Sequence, residues 1–356
     1  MEPVTHFMTG ACLGRAGFNR TTAYATVAMT LAAEAPDLDV FWSVAGPIAA
    51  FQHHRGWTHT LIGTPVVATA VVLVIFAFDR WRRQRSMNAK AALPVRWGML
   101  WLCAWIAALS HILLDFTNNY GVRPFFPFNP HWYAGGIVFI FEPVLFVVLL
   151  LALVVPALLG LTDREIGARG PVFRGRKWAS FALIVMVSLW SWRYLEQQSA
   201  KRMVLNDEAA QDGGPVQVKK VALSPYPVNP YMWQAVVETP DYYRVATVNV
   251  RNGSVVSDAQ TDIFYKPAET PATLAAKQSR LGRAYLDWSH FPLVREEGNG
   301  VTENGETATV VTFHDLRFHY DNALFGRLSK NPLGASAYVN ASNQVVQMQM
   351  GESIQR

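Results

Sequence analysis

Ionisable side chains placed inside and beside long apolar runs constrain this chain more than any other feature. Residues 60–78, 97–116 and 137–161 are each apolar over enough length to cross a hydrocarbon layer about 30 Å thick. A fourth run, 178–192, is shorter but bracketed by Trp residues, as interfacial anchors are. Six of the nine histidines lie in the first 131 residues, among these runs. Imidazole and carboxylate groups are costly next to lipid unless they neutralise, pair or hold a cation. The chain is only 16% charged, against about 25% in soluble proteins, and the deficit lies in the first 195 residues. The expected fold is an α-helical membrane domain with about four spanning helices.

Basic residues set the expected topology. The stretch from Arg80 to Arg85, with Lys90 and Arg96, is cationic. So are 164–169 and Arg174, Arg176 and Lys177. Both loops are expected on the cytoplasmic side of a bacterial inner membrane. The start of the first span, the end of the second and everything after Trp192 then face outward, bringing His54, His59, Asp115 and His131 to one surface. The net charge of +5 belongs mostly to these loops, so nucleic-acid binding is not implied. No basic region followed by an apolar run opens the chain, so no cleavable signal peptide is expected.

Residues 4–14 and 21–33 are too short to span. Gly10 and Gly14 form a small-xxx-small pattern suited to close helix contact, and a re-entrant N-terminal hairpin is expected, with Arg15 and Arg20 at its inner tip. Cys12 and Cys103 suit small core positions better than a disulfide. Residues 1–200 thus form the membrane domain and 201–215 a linker. Residues 216–356 form a soluble β-rich α+β domain, read from alternating stretches at 216–223, 233–238, 243–250, 307–313 and 336–346. Asn252-Gly253 and Asn304-Gly305 supply hairpin turns, and 273–286 is helical. Its His290, His314 and His319 are scattered, Asp315 and Asp321 read as turn or surface residues, and Trp233 and Tyr242-Tyr243 read as core.

The candidate metal residues fall in three motifs. His111-Ile112-Leu113-Leu114-Asp115 puts imidazole and carboxylate on one helix face, where one cation can take both. His53-His54-Arg55-Gly56-Trp57-Thr58-His59 offers His54 and His59, with Arg55 able to hold an anionic group beside the metal. Pro36-Asp37-Leu38-Asp39 offers two carboxylates that converge from a turn. Glu34 is either a further ligand or an interfacial charge, and His6 either a ligand or a lone polar residue on a helix. Glu142 sits early in an apolar run and needs a partner. An aromatic, proline-rich loop from Asn118 to Tyr133 either roofs the site or rests at headgroup level, with His131 a candidate additional ligand.

Taken together, Thr5-His6, Pro36-Asp37-Leu38-Asp39, His54-Arg55-Gly56-Trp57-Thr58-His59, His111 with Asp115, Asn118-Asn119-Tyr120-Gly121 and Pro127-Phe128 resemble a known family. It is the bacterial membrane-bound metal-dependent hydrolase family, the group that includes a LexA-regulated inner-membrane member. Pro225-Tyr226-Pro227-Val228-Asn229-Pro230-Tyr231-Met232-Trp233 resembles the outer domain of its longer members. The resemblance implies metal-dependent hydrolysis. The family tends to carry Asp-Pro where this chain has Glu142-Pro143, a longer carboxylate that can still ligate. A remoter likeness to zinc-dependent phospholipases C, through the His-x-x-x-Asp spacing, is analogy only.

The expectation is a multi-pass hydrolase facing outward. His54, His59, His111 and Asp115 form its ligand core, Asp37 and Asp39 either complete it or hold a second cation, and His6 is a further candidate ligand. Glu34 or Glu142 accepts the water proton, and Arg55 stabilises an anionic transition state. Mixed nitrogen and oxygen ligands favour zinc, with manganese or iron tolerated. The expected substrate is a phosphoester or lipid-linked ester, and membrane lipid the expected partner. Two rivals are a non-catalytic metal-binding scaffold or sensor and a transporter or its accessory protein. A through-path is disfavoured because no second set of intramembrane charges is evident on the cytoplasmic side.

Overall fold

The structure, a computed structural model, describes residues 1–85, 94–165, 175–209, 217–227, 229–320 and 333–355. Lys90, 166–169, Arg174, the linker residues 210–215, Val216, Val228 and Asp321 lie outside the described residues. The chain forms two compact units: Met1–Asp39 with Arg55–Tyr194, and Val40–His54 with Leu195–Arg356.

In the first unit, α1 (Pro3–Ala16) starts at a Glu2 cap whose carboxylate accepts from Thr5 N at 3.1 Å. It packs closely on α2 (Ala25–Glu34) through Gly10 and Gly14. A Cβ on Gly10 would lie 2.5 Å from Met29 O, and one on Gly14 would lie 2.6 Å from Thr26 Cα. Lipid tails offer no hydrophobic drive between helices, so association relies on such close backbone approach. The same logic fills the next layer. Ala28, Ala32 and Ala33 of α2 pack with Ala68 and Val71 of α4 (Thr64–Gln84) and Cys103, Ala104 and Ala107 of α5 (Trp97–Thr117). A second core joins Met8 and Cys12 of α1 to Leu145 and Leu149 of α6 (Pro143–Glu165) and Ala179 and Ala182 of α7 (Arg176–Ala209). Cys12 and Cys103 are buried free thiols.

Helices α4, α5, α6 and α7 each carry a window long and apolar enough to cross a membrane. Their outward faces, with Leu73, Val74, Val147, Phe181 and Ile184 exposed, are apolar as lipid requires. Two span starts differ from the sequence reading. The first helix begins at Thr64, because 57–63 are spent on a short 3-10 turn and on Thr60, whose Oγ1 accepts from Gly63 N at 2.9 Å. The third begins at Pro143. Residues before it run across the end of α5, where Gly135 N donates to Phe116 O at 2.7 Å and Ile137 N to Thr117 O at 2.8 Å. These bonds satisfy carbonyls that a helix terminus leaves open.

The fourth helix runs on to Ala209, so the first nine residues of the expected linker are helical instead. That tail belongs to the second unit, where Ala200 and Val204 pack on Trp233, Val237 and Val248. The expected boundary also shifts near Val40. Helix α3 (Pro47–His53) joins the second unit because Phe51 lies 5.8 Å from the Tyr285 ring and 5.3 Å from that of Trp288. Ile48 N also donates to Gln355 Oε1 at 3.1 Å.

The second unit holds two antiparallel sheets. One orders β1 (Lys220–Pro225), β2 (Met232–Glu238), β3 (Tyr242–Asn249) and β4 (Ser254–Val256), with β5 (Ile263–Tyr265) also on β3. The other orders β10 (Ser353–Gln355), β9 (Val345–Met350), β8 (Ala335–Val339), β7 (Thr307–Asp315) and β6 (Pro292–Val301). Gly253 and Gly305 take positive φ at the two expected turns. The expected helix at 273–286 is two, α8 (Pro271–Gln278) and α9 (Arg280–Trp288), because Ser279 ends the first and caps the second through Gly282 N at 3.0 Å. Trp233 and Tyr243 are core residues as read, while Tyr242 is half-buried. Asp315 is no surface residue: it is buried and paired with Arg317 at 2.8 Å.

The Gly10 contact is testable. Gly10→Ala is expected to cost about 1–3 kcal/mol, the usual range for overpacking, and to lower the thermal midpoint of detergent-purified protein. Gly98→Ala meets nothing within 4 Å and is expected to be neutral or slightly stabilising in the same measurement.

Candidate metal centre

Three elements of the first unit deliver four side chains to one point. Asp37 comes from the 3-10 segment Ala35–Ala45, His59 from the 3-10 turn Trp57–His59, and His111 and Asp115 from successive turns near the end of α5. Their ligand atoms all lie within 4.8 Å of one another. His59 Nε2 and His111 Nε2 are 2.9 Å apart. Asp37 Oδ1 is 3.3 Å from the first and 3.5 Å from the second. Asp115 Oδ2 is 3.5 Å and 3.4 Å from the same two atoms. Ligands about 2.1 Å from a tetrahedral zinc lie about 3.4 Å from each other, and the four histidine–carboxylate edges match that spacing while the histidine–histidine edge is shorter.

Hydrogen bonding at the far side of each ring tests whether a cation belongs there. His111 Nδ1 lies 2.7 Å from Ala33 O. A carbonyl only accepts, so Nδ1 carries the proton and Nε2 presents a lone pair. His59 Nδ1 lies 3.4 Å from the carboxylate of Asp39 and 3.1 Å from Thr58 Oγ1. With its proton directed to Asp39, His59 Nε2 also presents a lone pair; with Nδ1 accepting from Thr58 Oγ1, Nε2 instead donates to His111 Nε2. In the first tautomer two lone pairs face each other across 2.9 Å, flanked by two carboxylates, and a cation among them removes the repulsion. Asp115 Oδ2 is buried without a hydrogen-bond partner among the described residues, although it points at both rings. The donor set, the edge lengths and this orphaned oxygen all fit a divalent ion.

The other candidates occupy different places. Asp39 braces the site: besides His59, its Oδ2 accepts from Arg55 N at 2.6 Å. Carboxylate–histidine–metal relays of this kind fix ring orientation. Arg55, at φ 53°, is buried and largely spent. It donates to Asp115 Oδ1 at 2.7 Å and Gly121 O at 2.8 Å and stacks over Tyr120 at 4.8 Å. It therefore orients Asp115, and only Nε lacks a hydrogen-bond partner among the described residues. His6 stacks on His111 with ring centres 3.8 Å apart and faces Asp115 Oδ1 at 3.3 Å, on the carboxylate's other oxygen. The Met1 amino nitrogen also meets Asp115 Oδ1 and His6 Nε2.

His54 caps α3 and groups with the second unit, so it is not one of the four. Glu142 lies outside the cluster too. Burial raises its carboxyl while the charge of Arg193 lowers it, and Arg193 is itself buried with Nε donating to Ile137 O at 3.0 Å. His131 is exposed, edge-on to Tyr133. Glu34 is half-buried with Oε2 unpartnered among the described residues. Burial, and next the charge of Asp37, push its carboxyl up to about 7.

Sequence reasoning assigned no role to the Ala33 carbonyl, to the Asn118 side chain or, away from the site, to Asp79. The Ala33 carbonyl carries no side-chain signal at all. Asn118 Oδ1 accepts from Tyr120 N at 2.9 Å and tightens the turn whose Gly121 carbonyl holds Arg55. At the other end of α4, Asp79 is buried and accepts from Tyr24 Oη at 2.9 Å and Arg83 Nε at 2.7 Å. Its place in a visibly basic run hid a carboxylate, and its partners neutralise it.

With this geometry stands a sequence comparison. The profile of the YdjM inner membrane protein family matches residues 1–200, which contain all four cluster residues. The chain belongs to the YdjM inner membrane protein family. This is the group its motifs resemble. A protein of Bacillus subtilis (strain 168), described as uncharacterized protein YfhP, is 24% identical over 329 residues, covering 89% of this chain and 87% of its own length. No solved structure matches.

Purified protein is expected to hold stoichiometric metal that His59→Ala, His111→Ala and Asp115→Asn each abolish, measured by elemental analysis. His54→Ala and His131→Ala are expected to keep it. Asp39→Asn is expected to weaken affinity about 10–100-fold, the usual effect of losing a brace behind a metal ligand.

Proposed function

We propose that the protein is a membrane-bound metal-dependent hydrolase, with Asp37, His59, His111 and Asp115 holding a divalent cation. The observation that carries this reading is the pair of imidazole Nε2 atoms facing each other at 2.9 Å between two carboxylates. Two nitrogen and two oxygen donors favour zinc, with manganese or iron tolerated. Such an ion lowers the pKa of bound water to about 7 and polarises a scissile ester or phosphoester.

The protein's own groups supply the rest. Asp37 is the one cluster residue with an exposed edge, its side chain 19% accessible against 0–1% for the others. Approach to the centre is therefore past Asp37. Glu34, three residues earlier, accepts a proton at Oε2, which its shift to about 7 suits to both states near neutral pH. Arg55 holds Asp115 so that Oδ2 faces the rings, and Asp39 holds His59.

The position of the centre supports a site facing outward. His111 and Asp115 lie in the second half of α5, at the end opposite Arg96. Arg80, Arg82, Arg83 and Arg85 likewise close α4 at its far end. Basic ends are retained in the cytoplasm, and on this reading the centre and the β-rich unit lie outside. A substrate presented at that surface is a phosphoester or a lipid-linked ester.

One observation favours a non-catalytic scaffold or sensor: four protein ligands close a tetrahedral shell, whereas catalytic zinc keeps a position open. The two readings separate by experiment. A hydrolase is expected to turn over phosphoester or lipid-ester substrates when metal-loaded. Glu34→Gln is expected to lower kcat about 10²–10⁴-fold with metal content unchanged. Full metal occupancy with no turnover of any such substrate supports the scaffold instead.

A further inference from the structure

The metal cluster lies within the depth of a lipid layer. At 1.5 Å of rise per residue, His111 and Asp115 stand about 21 Å and about 27 Å along α5 from Trp97 at its basic end. Both distances fall inside a hydrocarbon layer about 30 Å thick. Neighbouring α4 is too short to fill that layer. From Thr64 to Phe78, just before Asp79 and Arg80, its apolar stretch rises only about 21 Å. The missing length falls on the turn that precedes α4 and on the loop bound to that turn. Leu61 N donates to Pro124 O at 2.8 Å, and the Trp57 and Phe126 rings meet edge to face at 5.7 Å. The loop is folded on itself: Phe126 N donates to Arg123 O at 3.2 Å and Asn129 N to Phe125 O at 3.0 Å. The Arg123 guanidinium lies 4.8 Å from the centres of both the Phe126 and the Trp132 rings. Although its shape is fixed in this way, the surface exposes Trp57, Leu61, Ile62, Phe125 and Phe128, the last by 84%. Residues 56–78 and 124–141 contain no Asp, Glu, Lys or Arg.

We propose that this surface is seated in the leaflet at the metal centre's end of the helices, and that the centre takes a membrane phospholipid from that leaflet as its substrate. Three observations choose lipid as the occupant. The shortfall of α4 leaves the turn at hydrocarbon depth, where apolar side chains are required. The surface continues into the lipid-facing side of α4 at Val66. It also lacks the charged rim that a protein interface carries, and Trp57 suits headgroup depth. Acyl chains match this surface, and a phosphate at the boundary matches the depth of the ligands. In the hydrolysis, the oxygen of water bonds to phosphorus and the P–O ester bond breaks. Glu34 takes a proton from that water and returns it to the leaving alcohol oxygen. The choice of substrate rests on the hydrolase reading; the seating in lipid does not.

The test uses the full chain in nanodiscs of phosphatidylethanolamine and phosphatidylglycerol. A nitroxide is attached at Phe128→Cys, Cys12 and Cys103 being buried. Oxygen is expected to relax this label more strongly than a water-soluble nickel chelate does, as at the lipid-facing position in Val74→Cys. The opposite preference, or shielding from both probes as a second copy of the chain would give, overturns the seating. Metal-loaded wild type is expected to cleave phospholipid in vesicles with a higher kcat/KM than bis(p-nitrophenyl) phosphate in water. The double variant Phe125→Ser, Phe128→Ser is expected to lose about tenfold on phospholipid, with metal content and turnover of the soluble diester unchanged. Phe128→Ser alone, at a largely exposed side chain, serves if the double variant does not fold. Preference for the soluble diester, or equal loss on both substrates, overturns the choice of substrate. No turnover of either counts against the hydrolase reading, and the nitroxide then decides the seating on its own.

Discussion

Two histidine Nε2 atoms meet at 2.9 Å in a buried pocket between two carboxylates, which calls for a proton or a cation between them. That constraint organises the membrane unit. Ala33 O takes the proton on the far side of the His111 ring, so that imidazole cannot change tautomer without losing its partner, and the Asp39 carboxylate favours the matching tautomer of His59. The carboxylates of Asp37 and Asp115 would add negative charge to an already electron-rich point. A divalent cation turns the same arrangement from repulsive into attractive.

Helix packing makes the arrangement possible. The Ala33 carbonyl reaches His111 because α2 lies against α5 through alanines, and α2 is in turn held by the glycine face of α1. Larger residues along these seams would move the carbonyl away and release the ring. Small-residue packing, usually discussed as a means of associating helices in lipid, here also sets the tautomer of a candidate ligand. Arg55 acts similarly on Asp115: its hydrogen bond occupies Oδ1, so Oδ2 is the oxygen presented to the histidines.

Much of this was legible in the sequence. Four spans, the β-rich second half and the approach of Asp37, His59, His111 and Asp115 follow from apolar run length, strand alternation and the cost of buried charge. The failures have particular causes. His54 and His59 looked equivalent in one motif, but the backbone turns at Arg55, with φ 53°, and only His59 enters the cluster. Asp39 looked like a ligand because its chemistry is identical to that of Asp37; only the fold shows that it meets Nδ1 rather than Nε2. Glu142 needed a partner, and the charge that acts on it is Arg193, far along an apolar helix where sequence gave no pairing. The last turns of α7 read as linker because they are polar, yet they pack on the first sheet through Ala200 and Val204.

The account stands or falls on a cation at one defined point. X-ray absorption at the edge of the metal carried by the purified protein reads that point directly. The expected spectrum shows two imidazole nitrogens and two carboxylate oxygens at about 2.0–2.2 Å, and His59→Ala, which loses the metal, is expected to show no edge above background. A metal with a sulfur or all-water shell, or a spectrum unchanged by that substitution, would contradict it.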